Sequence, residues 1–153
     1  MRAAVKAILA AALVLAPSVA HATSTCRLVS VTPVAFGAYD PFAPWSADSV
    51  GSVTILCTGI TSTPPIVLQL GRGRSSSFFP RSMSGGAYSL NYNLFIDAGR
   101  LGVWGDGSGG TATVTVAAPE GQPVTTQVYG RIYALQSVAA GTYADSVLVT
   151  VQF

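Results

Sequence analysis

Histidine and lysine are almost missing from this chain of 153 residues: each occurs once, as His21 and Lys6. Both lie in a segment built like a secretory leader. Arg2 and Lys6 form a short basic start, and Ala7 to Ala16 (AILAAALVLA) is an apolar run of ten. Pro17 ends the run, and Ala20-His21-Ala22 fits the small-x-small pattern read by signal peptidase. So short a run does not cross a bilayer as a helix. Cleavage after Ala22 is therefore expected, giving a signal peptide 1–22 and one exported domain 23–153, with no membrane span left after cleavage. The exported part then has no His to act as a base and no Lys to act as a nucleophile. Hydrolytic chemistry needs an activated nucleophile or a metal, and no motif here offers either. The chain reads as a non-enzyme without cofactor. The missing Lys also excludes isopeptide cross-links and sortase linkage through Lys.

Charge is scarce as well. Charged residues make up 9% of the chain and hydrophobic ones 50%. After the leader, Arg27, Arg72, Arg74, Arg81, Arg100 and Arg131 stand against Asp40, Asp48, Asp97, Asp106, Glu120 and Asp145. The balance is near zero, so the basic excess belongs to the leader and argues for no nucleic acid partner. A surface this poor in charge suits a protein that buries much of itself in an assembly.

Cysteine is limited to Cys26 and Cys57. In an oxidising compartment an even pair is most simply one disulfide. Free thiols or metal ligands are the alternatives, and a metal site lacks further Cys or His to complete it.

Helical periodicity is absent after the leader. What recurs is short alternating or apolar runs between Gly, Pro, Ser and Asp. Strands are expected over Arg27–Phe36 (bent at Pro33), Val50–Cys57, Ile66–Leu70, Ala87–Ile96, Thr111–Val116, Thr126–Leu135 and Tyr143–Phe153. Short strands with turn signals between them predict an antiparallel β-sandwich. Asp106-Gly107 inside WGDGSGG reads as a turn, because a calcium loop needs more oxygen ligands than its single carboxylate. LGRGRS (Leu70–Ser75) lacks the third Gly and the Lys of a phosphate loop. It reads as a loop with solvated Arg72 and Arg74. The last run, YADSVLVTVQF, raises a question of its own: a strand closing a chain needs a partner on each side or a managed edge.

Several ordered stretches resemble the spore coat protein U family, which includes the pilus subunits of archaic chaperone–usher systems. They are CRLVSVTPVAFGAYDPF, SVTILC, PRSMSGGAYSLNYNLFIDAGRLGVWGDG and VYGRIYALQSVAAGTYADSVLVTVQF, together nearly the whole exported part. The resemblance implies an immunoglobulin-like antiparallel β-sandwich, incomplete because it lacks its last strand. It implies a structural subunit handled by a periplasmic chaperone and an outer-membrane usher. The subunit then joins other pilus subunits in a surface fibre used in adhesion and biofilm formation. The missing strand comes first from the chaperone and then from the extension of a neighbouring subunit. On this reading Val147, Val149, Val151 and Phe153 line the acceptor groove, with Leu28 to Val34 on its other side. Only Thr23, Ser24 and Thr25 lie between the expected cleavage point and Cys26, too few for a donor strand, so a tip or initiating position is expected. Phe42, Trp45, Phe78 and Phe79 occupy loops and are candidates for an adhesive patch. The alternative, favoured by the nearby prolines, is that they fold back and cap the sandwich. A self-contained secreted sandwich, serving as a coat component or ligand-binding module, is the competing function.

Overall fold

The computed structural model describes residues 24–60 and 65–153; the expected leader and its cleavage point lie outside them. Alternation of apolar with small polar residues decides the strands. In β2 (Ala47–Thr58), Val53, Ile55 and Cys57 turn inward. Thr54 faces outward, where its hydroxyl bonds that of Thr125 at 2.8 Å. The same period of two runs through β3 (Ile66–Leu70), β5 (Tyr88–Phe95) and β7 (Pro123–Ile132). With β1 (Thr25–Thr32), β4 (Arg81–Gly85), β6 (Val114–Val116) and β8 (Val149–Gln152) they make two sheets. One has the order β1-β2-β7-β5-β4 and the other β6-β3-β8, and every ladder is antiparallel. The described residues contain no helix. This is the expected immunoglobulin-like sandwich. Its core joins Ile55, Leu68, Leu94, Val128 and Ile132 around fully buried Trp104.

Several expectations shift. The expected strand Thr126–Leu135 spans Pro123–Ile132 and leaves Leu135 in a bend with φ of 57°, and Thr111–Val116 is a strand only over Val114–Val116. The first strand ends at Thr32, not Phe36, because Pro33 has no N–H for the ladder with β2. Of Tyr143–Phe153 only Val149–Gln152 pairs continuously as a strand. Strand β4 was not expected at all, since RSMSG carries one apolar side chain, Met83. Its inward partner on the same face is Arg81.

Arg81 is fully buried. Nε and Nη2 donate to the Gly71 carbonyl at 3.0 and 2.8 Å, Nη2 donates to the Trp104 carbonyl at 2.6 Å, and Nη1 donates to Asn93 Oδ1 at 2.7 Å. Asn93 Nδ2 in turn donates to the Phe78 carbonyl at 2.7 Å. Burial lowers the Arg81 pKa, and the acceptors around it make the desolvated cation tolerable. Trp104 donates its indole N–H to the Leu68 carbonyl at 3.0 Å. Backbone bonds run from Leu94 through Trp104 and from Gly105 to Leu70. One side of the sandwich is thus sewn shut between its sheets.

Candidate functional site

The other side is open. Past Pro33 the chain leaves β2 and crosses the inner face of the larger sheet. Val34 and Phe36 lie over Gly130, where any Cβ would collide with both side chains. Phe36 stands edge-on to Tyr92 with ring centres 6.2 Å apart. The Ser49 hydroxyl donates to the Ala35 carbonyl at 2.7 Å. Tyr39 anchors the end of the segment, donating to the Tyr133 carbonyl at 3.0 Å and accepting from the Gln136 N–H at 2.8 Å.

The facing wall is the approach to β8. The Tyr143 ring lies against Gly85, where a Cβ would meet it at 2.7 Å. Ala144 exchanges two backbone bonds with Ser84, at 3.0 and 3.1 Å. Asp145 accepts from the Tyr92 hydroxyl at 2.7 Å and from the Arg74 N–H at 2.9 Å. Burial, with Asp145 adding to it, raises the Tyr92 pKa, so this hydroxyl stays a donor.

Between the walls lies a groove of about 830 Å³ with Val53, Leu90, Leu94, Val128 and Ile132 among its lining. Its edges have unused hydrogen-bonding capacity. Leu148 turns its carbonyl to the Gly71 N–H at 2.8 Å. Successive strand residues address opposite neighbours, so Val147, Val149 and Val151 turn theirs away from β3. Across the groove, Pro33 to Ala38 make no backbone–backbone bond among the described residues. Apolar floor and free strand edges together are what an extended peptide requires, whereas a small molecule would leave the edges unused.

Of the residues expected at the groove, Val31 to Val34, Val147 and Val149 line it. Val151 packs on the core farther along β8. Leu28 and Phe153 are exposed and lie outside the lining. The wall formed by Phe36, Tyr39 and Tyr143 was not expected, although Val34 and Phe36 already alternate in the sequence. Cys26 and Cys57 form a disulfide opposite each other in the β1–β2 ladder. The loop aromatics divide. Phe78 is buried with Phe95 and Val103, so it is no surface residue, while Phe42, Trp45 and Phe79 are exposed and do not fold back. The turn at Asp106-Gly107 forms as expected, with Asp106 accepting from the Ser108 N–H at 2.9 Å. Arg74 is exposed, as is Arg72, which rides over the Phe78 ring at 5.0 Å.

An antiparallel two-sheet sandwich with an apolar groove open over its core is the frame on which this chain is built. The chain belongs to the Spore Coat Protein U domain family, whose model matches residues 10–150. It is 37% identical to Protein U of Myxococcus xanthus over 129 residues, which is 77% of this chain and 70% of that protein. It is also similar to one chain in the crystal structure of the CsuC–CsuE chaperone–tip adhesion subunit pre-assembly complex from the archaic chaperone–usher Csu pili of Acinetobacter baumannii. There the TM-score is 0.57 at 24% identity, covering 86% of this chain and 40% of that one. At that identity the likeness establishes the fold, and this chain spans less than half of its neighbour's length.

Proposed function

We propose that this protein is an exported, non-enzymatic structural subunit of an archaic chaperone–usher pilus, and that its groove accepts a strand from a partner. The observation that carries the reading is the uncovered groove, apolar in floor and bordered by free strand edges. Family membership and the fold shared with a chain of a chaperone–subunit complex support it. An added strand gains main-chain bonds on both sides and buries alternate side chains in the floor. Left empty, the groove is an aggregation hazard, which accounts for a periplasmic chaperone, with an outer-membrane usher and other subunits taking over. The fold it shares with a chain of a chaperone–tip adhesion subunit complex supports a position at the fibre tip. Such fibres serve adhesion and biofilm formation, and exposed Phe42, Trp45 and Phe79 supply apolar surface for contacts outside the chain. A self-contained coat component would close its own sheet, and the uncovered groove speaks against it.

The test is expression of the leader-bearing chain in a periplasm, alone and with its candidate chaperone, followed by sizing and thermal unfolding. The expected result is a soluble, folded protein only in the complex, or when a peptide of alternating Val and Ser is joined behind Phe153. A stable, cooperatively unfolding monomer by itself would overturn the reading.

A further inference from the structure

We infer that Phe42, Trp45 and Leu135 form the seat for the folded body of the subunit whose strand fills the groove; the inference rests on the groove reading above. The three side chains are 86%, 71% and 65% exposed, yet an ordered backbone presents them. Asp40 fixes a turn by accepting the Phe42 N–H on its carboxylate at 2.9 Å and the Ala43 N–H on its carbonyl at 3.2 Å. Leu135 has φ of 57°, an uncommon conformation for a side chain of its kind. It sits between Tyr133 and Gln136, both bonded to the Tyr39 hydroxyl. Gln136 is bonded to Asn91 in both directions, at 2.7 and 2.8 Å. Tyr39 therefore ties the Phe42–Trp45 turn and the Leu135 turn to one frame. Large apolar side chains held out on a rigid frame mark a contact surface.

Position and direction name the occupant. Tyr39 and Pro41 line the end of the groove, and Phe42 follows them directly. Every strand ladder among the described residues is antiparallel, the one parallel contact being the isolated bridge Trp104–Ala112, and the β8 wall runs from Tyr143 at that end towards Phe153. A strand added antiparallel to it runs the opposite way and leaves the groove beside Tyr39 and Pro41. A donor segment that precedes its own domain hands over to that domain at this point, directly above Phe42, Trp45 and Leu135. The occupant is a second domain of the same fold with an apolar face. Phe79 belongs to the loop that also carries Phe78, which packs on Phe95 and Val103 in a separate cluster, and it stays free.

The experiment compares two probes on the chaperone-held chain and on its F42S/W45S/L135S variant, each probe taking the chaperone's place in the groove. One is a free peptide of alternating Val and Ser. The other is the same peptide as an N-terminal extension of a second copy of the chain, whose own groove is closed by that peptide joined behind Phe153. The free peptide should bind both forms equally, which also shows that the variant is folded. The extended copy should bind the variant more weakly by on the order of tenfold. With Trp45 of the extended copy replaced by Phe, Trp45 emission of the accepting chain should move to the blue with the extended copy only, over the constant signal of buried Trp104 in each copy. Equal affinity of the extended copy for both forms, or an unmoved Trp45 signal, overturns the seat. Normal fibres from the variant that no longer attach to polystyrene would assign the patch to adhesion instead, and likewise overturn it. If neither probe binds the unaltered chain, the groove reading itself falls and the seat with it.

Discussion

The two sides of this sandwich solve the same problem in opposite ways. On one side, Trp104 and Gly105 carry backbone bonds from β5 to β3, and Arg81 and Asn93 satisfy the carbonyls around them. On the other, Pro33–Tyr39 and Tyr143–Val149 stand apart over an apolar floor. The closed side uses large and polar buried groups with every bond made; no buried side-chain nitrogen or oxygen lacks a partner among the described residues. The open side uses Val, Gly and Tyr, which shape a surface but leave main-chain groups free.

Breaking the closed side should have the largest effect. Trp104→Ala, studied in the chain closed by a peptide behind Phe153, should lose about 3–5 kcal/mol in urea unfolding, because it removes a fully buried ring and its bond to Leu68. A loss under about 1 kcal/mol would mean the two sides do not differ as described. Replacing both Cys26 and Cys57 with Ser should cost about 3–4 kcal/mol by the loop-entropy relation for a separation of 31 residues. The same unfolding titration reads it, and an unchanged midpoint would remove the disulfide from the account.

Substitutions at the groove should act on binding more than on folding. Val149→Asp places a charge at a half-buried wall position. It should weaken the alternating Val–Ser peptide by on the order of a hundredfold, since an unpaired charge there loses its water when the strand arrives. Thermal unfolding of the chaperone-held chain should shift little. Gly130→Val should push Val34 and Phe36 outward and cost about 1–3 kcal/mol. Normal peptide affinity in that variant would show that the Pro33–Tyr39 wall is not part of the acceptor.

The smallest effect is expected on the outer face, remote from both sides. Asp48 accepts from Arg131 Nε and Nη2 at 2.7 and 2.8 Å and lies 3.3 Å from Arg100 Nη1. The Arg131 bonds are the main cause holding its pKa below the usual value. A depressed carboxylate pKa adds stability that is present above the unfolded value of about 4 and is lost as pH falls through the folded one. Asp48→Asn should therefore cost about 0–1 kcal/mol at pH 7 and flatten the acid limb of a stability–pH profile. A steeper acid limb in the variant would contradict the pairing.

Much of the architecture was legible in the sequence, and the misses share a cause. The bounds Ile66–Leu70 are legible because Ile66, Leu68 and Leu70 alternate with Val67 and Gln69 between turn residues. Val53, Ile55 and Cys57 declared their face in the same way. Strand β4 was invisible because its inward residues are Met83 and a charged Arg81, and burial of an Arg depends on carbonyls supplied by Gly71 and Trp104. In the sequence Phe36 merely ends an alternating run, since nothing local says that Gly130, far along the chain, leaves room for it and Val34. Exposure of Phe42 and Trp45 ran against the pull expected from nearby prolines, because Asp40 and Tyr39 fix the turn first.

The sequence by itself determined the period-two pattern, the cysteine pair, the poverty of charge and the family motifs. Each is a local or compositional property, set by which side chains can share a pleated face. Tertiary structure alone decided where the sandwich stays open, which loop aromatic is buried, and how Arg81 is paid for by its acceptors. Those outcomes depend on residues tens of positions apart meeting at van der Waals or hydrogen-bond distance, and no local pattern encodes such a meeting.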